Sequence, residues 1–103
     1  MYRGTTPTNT IAVDLDLRNM TVFVTYSQND KVLFEKTNED MTIDEDKITI
    51  SLSQADTLKL SARSRTVFVQ IRAIDSEGNA VASNIMTTTA DAILKDGEIA
   101  YGS

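Results

Sequence analysis

An all-β fold, an immunoglobulin-like sandwich of two antiparallel sheets with about six or seven short strands, is what the sequence predicts. Three observations carry that expectation. Apolar residues recur at every second position in short runs. Clusters of Asn, Asp, Ser and Gly bound those runs. The runs also follow one another at hairpin spacing along 103 residues, which leaves no length for a second domain. A small barrel is the main competing architecture. The cysteine and tryptophan that mark antibody domains are absent, so the architecture is suggested without membership of that family.

The elements follow in order. Ile11, Val13, Leu15 and Leu17 alternate with Ala12, Asp14 and Asp16, the pattern of a half-buried strand with acids outward. Val22, Val24 and Tyr26 alternate with Phe23, Thr25 and Ser27, and Val32 and Phe34 alternate with Leu33 and Glu35. Between them Asn29-Asp30 tolerates positive φ, so this is a hairpin. Met41 and Ile43 form a short strand before the acidic turn Asp44-Glu45-Asp46, and Ile48, Ile50 and Leu52 return from it. Ser53-Gln54-Ala55-Asp56 has capping-box spacing and predicts a single helical turn that bridges the two halves. Val67 to Ile74 is the strongest strand and is expected at the centre of a sheet. The turn Asp75 to Asn79, with Gly78 at positive φ, leads into a Thr-rich strand from Ala80 to Thr89. Residues 1–9 and 91–103 are polar and turn-rich and are expected to form arms on one domain spanning 1–103. There is no internal repeat.

Surface scaling of 11.3 kDa gives a folded area of about 5,700 Å² against roughly 16,000 Å² unfolded, so a real core forms without a disulfide. With no cysteine and no histidine, thiolate nucleophiles, cysteine metal sites and the commonest general base are all missing. Fifteen acidic against ten basic residues give a net charge of −5, which disfavours nucleic acid and anionic membrane as partners. Lys59, Arg63 and Arg65 are too few for a phosphate-tracking stripe and read as a solvated loop. The first residues lack an apolar signal region and no stretch has the length to cross a bilayer, so membrane insertion is not expected.

The carboxylate groups are Asp14 with Asp16, Asp44-Glu45-Asp46, and Asp75 with Glu77. None has a partner base, and a glycosidase needs two carboxylates across a sugar-sized cleft. Asp44, Asp46 and Asn29 would offer calcium hard oxygen ligands if they converged at one end of the sandwich, although EF-hand spacing is absent. Solvated turns explain them more simply. Thr87-Thr88-Thr89 has no group to activate a hydroxyl and is accounted for by β propensity. The informative feature is apolar residues on the outward side of their strands: Phe23, Leu33, Phe68 and Ile74. Two explanations stand, a register shift or cover by the arms on one hand, and a face that packs on another subunit on the other.

Several segments point further. Arg3-Gly4-Thr5-Thr6-Pro7-Thr8, Val24-Thr25-Tyr26-Ser27-Gln28 and Leu52-Ser53-Gln54-Ala55-Asp56-Thr57-Leu58 are followed by Val69-Gln70-Ile71-Arg72, by Gly78 to Ile85, and by Ile93-Leu94-Lys95-Asp96-Gly97. Together, over nearly the whole chain, they resemble small proteins encoded by phages and prophages of gut Firmicutes. That resemblance implies a virion structural component of the tail or baseplate region, assembled in the host cytoplasm. Its implied partners are other virion proteins or further copies of the chain, with no nucleic acid, membrane or cofactor, and it brings no catalytic residue. Contacts are then expected through Phe23, Leu33, Phe68 and Ile74, and through Thr5, Pro7, Ile93 and Leu94 in the arms. Thr5 to Thr10 and Met86 to Leu94 are the candidate segments for adding a strand to a neighbour's open edge. The alternative is a carbohydrate- or calcium-dependent adhesion module using the acidic turns.

Overall fold

Alternation of buried and exposed residues sets the strands of the computed structural model, which describes residues 1–14, 16–83 and 85–101. The first strand, β1 (Thr8–Ala12), starts and stops earlier than the apolar pattern suggested. Ala12 pairs with Lys47, the first residue of its partner strand, so the chain beyond has nothing left to pair with. Instead the Val13 and Leu17 amides donate to the Asp46 and Glu45 carbonyls, 2.8 Å each, and Leu17 is buried from a loop. Leu15, assigned to the same inward row, lies outside the described residues.

β2 (Thr21–Gln28) buries Val22, Val24, Tyr26 and Gln28 on its inner face. Asn29 and Asp30, at φ of 52° and 60°, close a two-residue turn into β3 (Lys31–Lys36). That turn sets Val32 opposite Ser27, on the outer face, while Phe34 must face Tyr26 in the core. A bulge reconciles the two and leaves Leu33 as the extra residue, half-buried against the core. Leu33 is therefore not an outward-facing residue, and Val32 takes that place.

A short 3-10 turn (Asn38–Asp40) leads into β4 (Met41–Asp44) and β5 (Lys47–Ser51). The helical turn α1 (Gln54–Leu58) has its capping box: Ser53 Oγ accepts from the Asp56 amide and the Asp56 carboxylate accepts from the Ser53 amide, both at 3.0 Å. Asp56 also takes the Lys36 ammonium at 2.7 Å, which ties α1 to β3. Lys36 and Lys59 lie 5.7 and 5.8 Å from the Phe34 ring centroid, and Phe34 stacks on Tyr26 at 4.6 Å.

β6 (Thr66–Ile74) is central, with β2 on one side. Its other side is lined end to end by β7 (Ala80–Ala82) and β8 (Met86–Thr89), where a single strand was expected. The break has a visible cause. Ser83 donates its amide to the Ile71 carbonyl, and its hydroxyl, in place of a carbonyl, accepts the Ile71 amide at 3.0 Å. The register then differs by one residue on either side, Arg72 facing Ala82 but Val69 facing Met86.

The sheets are β1-β5-β4 and β3-β2-β6 completed by β7 and β8. This is the immunoglobulin order, B-E-D against C′-C-F-G, and among the described residues no strand A flanks B. In its place Tyr2 makes one parallel bridge to Asp91. Residues 1–9 are not a free arm. The Arg3 guanidinium donates to the Leu60 and Leu58 carbonyls and to Asp96, the Pro7 carbonyl accepts from the Leu52 amide, and Thr8 and Asn9 belong to β1.

The Asp75 carboxylate accepts from the amides of Glu77 and Asn79, and Gly78 sits at φ +87° with open space where a side chain would start. Gly78→Ala is expected to cost about 1 kcal/mol through backbone strain alone, measured as a lower urea midpoint at unchanged slope.

Candidate assembly surfaces

The exposed area is 6855 Å², above the roughly 5,700 Å² expected of a folded chain this size. Extents of 47 × 32 × 18 Å show why: the sandwich is long and flat.

The first surface is the outer face of the five-stranded sheet. Thr25 stands between Glu35 and Gln70, Ser27 between Val32 and Phe68, Phe23 opposite Arg72 and Thr21 opposite Ile74. Phe68, Ile74 and Val32 are 39%, 38% and 59% exposed. Phe23 is half-buried, and it is diagonal to Ile74, within reach of a cross-strand contact. The face thus holds an apolar pair at each end, separated by a polar belt in which the Thr25 hydroxyl donates to Glu35 at 3.0 Å. Of the outward residues expected from the sequence, Phe23, Phe68 and Ile74 share this face. Val32 was missed, although the two-residue turn after Gln28 already put it opposite the outward Ser27.

Of the expected arm contacts, Thr5 is held by its own chain, its carbonyl accepting from the Thr57 hydroxyl at 2.8 Å. Pro7 is half-buried and bonded to Leu52. Ile93 is half-buried and would lie 3.1 Å from a Cβ on Gly4, so it packs within the fold. Leu94 is fully exposed, as is Tyr101, with Ile99 at 78%.

The second surface is a cleft of about 560 Å³ between β1 and β7, where strand A is missing. Val13 and Leu17 form one wall, Ile71 and Ala73 the floor, and Val81 and Met86 the other wall, with Asp14 at the rim. Val81 faces inward opposite Ala73 yet is 41% exposed. A shallower hollow of about 290 Å³ between β1 and β8 shares Met86 and continues it.

The two ends of the sandwich differ in charge. One carries Asp14 and Asp16, Glu39 and Asp40, the Asp44-Glu45-Asp46 turn, and Asp75 and Glu77, against Arg18 and Lys47. Arg18 answers part of this, binding Asp16 at 2.7 Å and Glu45 at 3.5 Å. Its hydrogen bonds to Asp16 pull that carboxyl down to about 2. The opposite end, around α1, carries Lys31, Lys59, Arg63 and Lys95, which make no ion pair among the described residues, together with the acids Asp30, Asp96 and Glu98. The expected meeting of Asn29 with Asp44 and Asp46 does not occur. Asn29 bonds Ser64 at 2.6 Å beside α1, and the β4–β5 turn lies at the far end of β5. Among the described residues no group of three or more acidic side chains is placed to hold a metal ion. No protein-family model, curated protein or solved structure matches this chain.

Proposed function

We propose that this chain is a noncatalytic structural module of a bacteriophage virion, in the tail or baseplate region, that works by protein–protein contact through the outer face of its five-stranded sheet. The observation that carries the reading is the set Phe23, Phe68, Ile74 and Val32 turned to solvent on a sheet whose other face already supplies the core. Apolar pairs around a polar belt fit a contact surface in which a few aromatic anchors supply the energy and polar groups fix the register. The resemblance of the sequence to small phage and prophage proteins supplies the setting, with other virion proteins or further copies as partners.

Phe68→Ser and Phe23→Ser are expected to stay folded, since both side chains lie outside the core, and to weaken association about tenfold or more each. Light scattering across a concentration series measures this. Folded variants with the mass profile of the parent chain would show that the face is not the contact.

A further inference from the structure

We propose that a second copy of this chain fills the cleft between β1 and β7, docking its C-terminal segment, residues 98–101, where the sandwich lacks a strand. This rests on the reading of the chain as an assembly module but uses a different surface. The cleft asks for an extended polypeptide, because β7 offers it a free strand edge, pairing only with β6 among the described residues, while Ala12 at the end of β1 and the loop to Leu17 bound the other side. Such edges take up added strands through their unpaired backbone groups, while side chains of alternate residues fill the apolar floor.

The chain carries a segment of that kind. Ile99 and Tyr101 stand at alternate positions, 78% and 108% exposed, with Ala100 between them. The Gln54 side chain grips both backbone groups of Ile99, accepting its amide at 2.7 Å and donating to its carbonyl at 2.9 Å. Neither backbone group of Ala100 is bonded among the described residues, so both are open to a neighbour's strand edge.

Charge selects a second copy as the occupant. The segment carries Glu98 but sits at the α1 end, where Arg3, Lys31, Lys59, Arg63, Arg65 and Lys95 outnumber Asp30, Asp91, Asp96 and Glu98, whereas the cleft opens toward the acidic end, with Asp14 on its rim. Copies laid head to tail bring opposite charges together, and copies laid head to head do not. The contact is heterologous, so it propagates into a ring or a row.

Sedimentation velocity on the full chain, over a concentration series at low and high salt, tests this with variants of each half. Val81→Arg blocks the cleft at a position already exposed, and Ile99→Ser with Tyr101→Ser strips the segment without touching the core. Each variant alone is expected to associate about tenfold or more weakly than the parent. Mixed, they are expected to form one-to-one pairs and nothing larger, because one keeps a sound segment and the other a sound cleft. Association of the parent is expected to weaken with added salt. A parent chain that stays monomeric throughout overturns the proposal, as does a mixture that forms no pairs. If Phe68→Ser abolishes association while the cleft and segment variants keep it, the outer-face reading stands and this one falls. The reverse pattern upholds this one and removes the outer face.

Discussion

Tyr26→Ala is expected to lower the unfolding free energy by about 3–5 kcal/mol. Domains of this size are stable by only about 5–15 kcal/mol, so the loss takes a large share of that stability. Tyr26 is fully buried at the middle of β2, faces Phe34 on one neighbour and Val69 on the other, and stacks on the Phe34 ring. Its hydroxyl accepts from the Asn9 side chain at 2.9 Å, a bond that joins the five-stranded sheet to β1 of the other. Tyr26→Phe separates the two contributions. It keeps the ring and leaves the Asn9 amide without this acceptor, so a loss of about 1 kcal/mol is expected.

Alkaline titration gives an independent check on that hydroxyl. Burial raises its pKa above the ordinary phenol value, with the Asn9 bond acting in the opposite direction. A phenol held neutral in the fold contributes stability that is complete below its unfolded value of about 10 and is lost as pH rises through the folded value. The parent chain is therefore expected to lose stability above about pH 10 more steeply than Tyr26→Phe, as urea unfolding at a series of pH values would measure.

What the sequence made legible was the period of each strand and the local chemistry of the turns. Asn29-Asp30, Gly78 and the Ser53 capping box act over a few residues, and each takes the expected form. Less legible was whatever depends on a partner far along the chain. β1 stops at Ala12 because β5 begins at Lys47, a fact about pairing that no local pattern contains. Leu33 and Val32 exchange roles because the turn and the core demand different registers, and the bulge satisfies both. The break at Ser83 depends on a hydroxyl meeting the Ile71 amide across the sheet. On the candidate surfaces, the outward Phe23, Phe68 and Ile74 followed from alternation alone. The cleft did not, because it lies where no strand among the described residues flanks β1.

Arg3 shows the same limit from the other direction. A polar, glycine-containing opening segment reads as an arm, yet its guanidinium closes on two carbonyls around α1 and on Asp96. Carbonyls exposed at the end of a short helix need donors, and a residue more than fifty positions away supplies them. The arm becomes part of the fold through that requirement, while Leu94, Ile99 and Tyr101 have no comparable claim on their side chains and stay outside.

The same end of the molecule gives the second large expected effect. Asp56→Ala removes the acceptor of the Ser53 amide and leaves the Lys36 ammonium, whose side chain is only 16% exposed, without its partner. Loss of a cap costs about 0.5–2 kcal/mol, and breaking a fully buried pair about 3–5, so a loss of about 2–4 kcal/mol is expected for this largely buried one. Asp56→Asn keeps an oxygen for Ser53 and loses only the charge, so it should fall between. The pH dependence fixes the sign. Burial pushes the Asp56 carboxyl up, but the Lys36 ammonium and the Ser53 amide and hydroxyl together pull it further down, and the net pKa is lowered. A lowered carboxyl contributes stability that is complete above its unfolded value of about 3.9 and is lost as pH falls through the folded value. The gap between the parent chain and Asp56→Asn, measured by urea unfolding, is therefore expected to be constant near neutrality and to close below about pH 4. Lys36→Met in the Asp56→Ala background should recover part of the loss by removing the stranded charge, since much of the cost lies in the ammonium left behind. If the double variant were less stable than Asp56→Ala alone, the loss would belong to the cap and to Lys36 packing on Phe34, not to the ion pair.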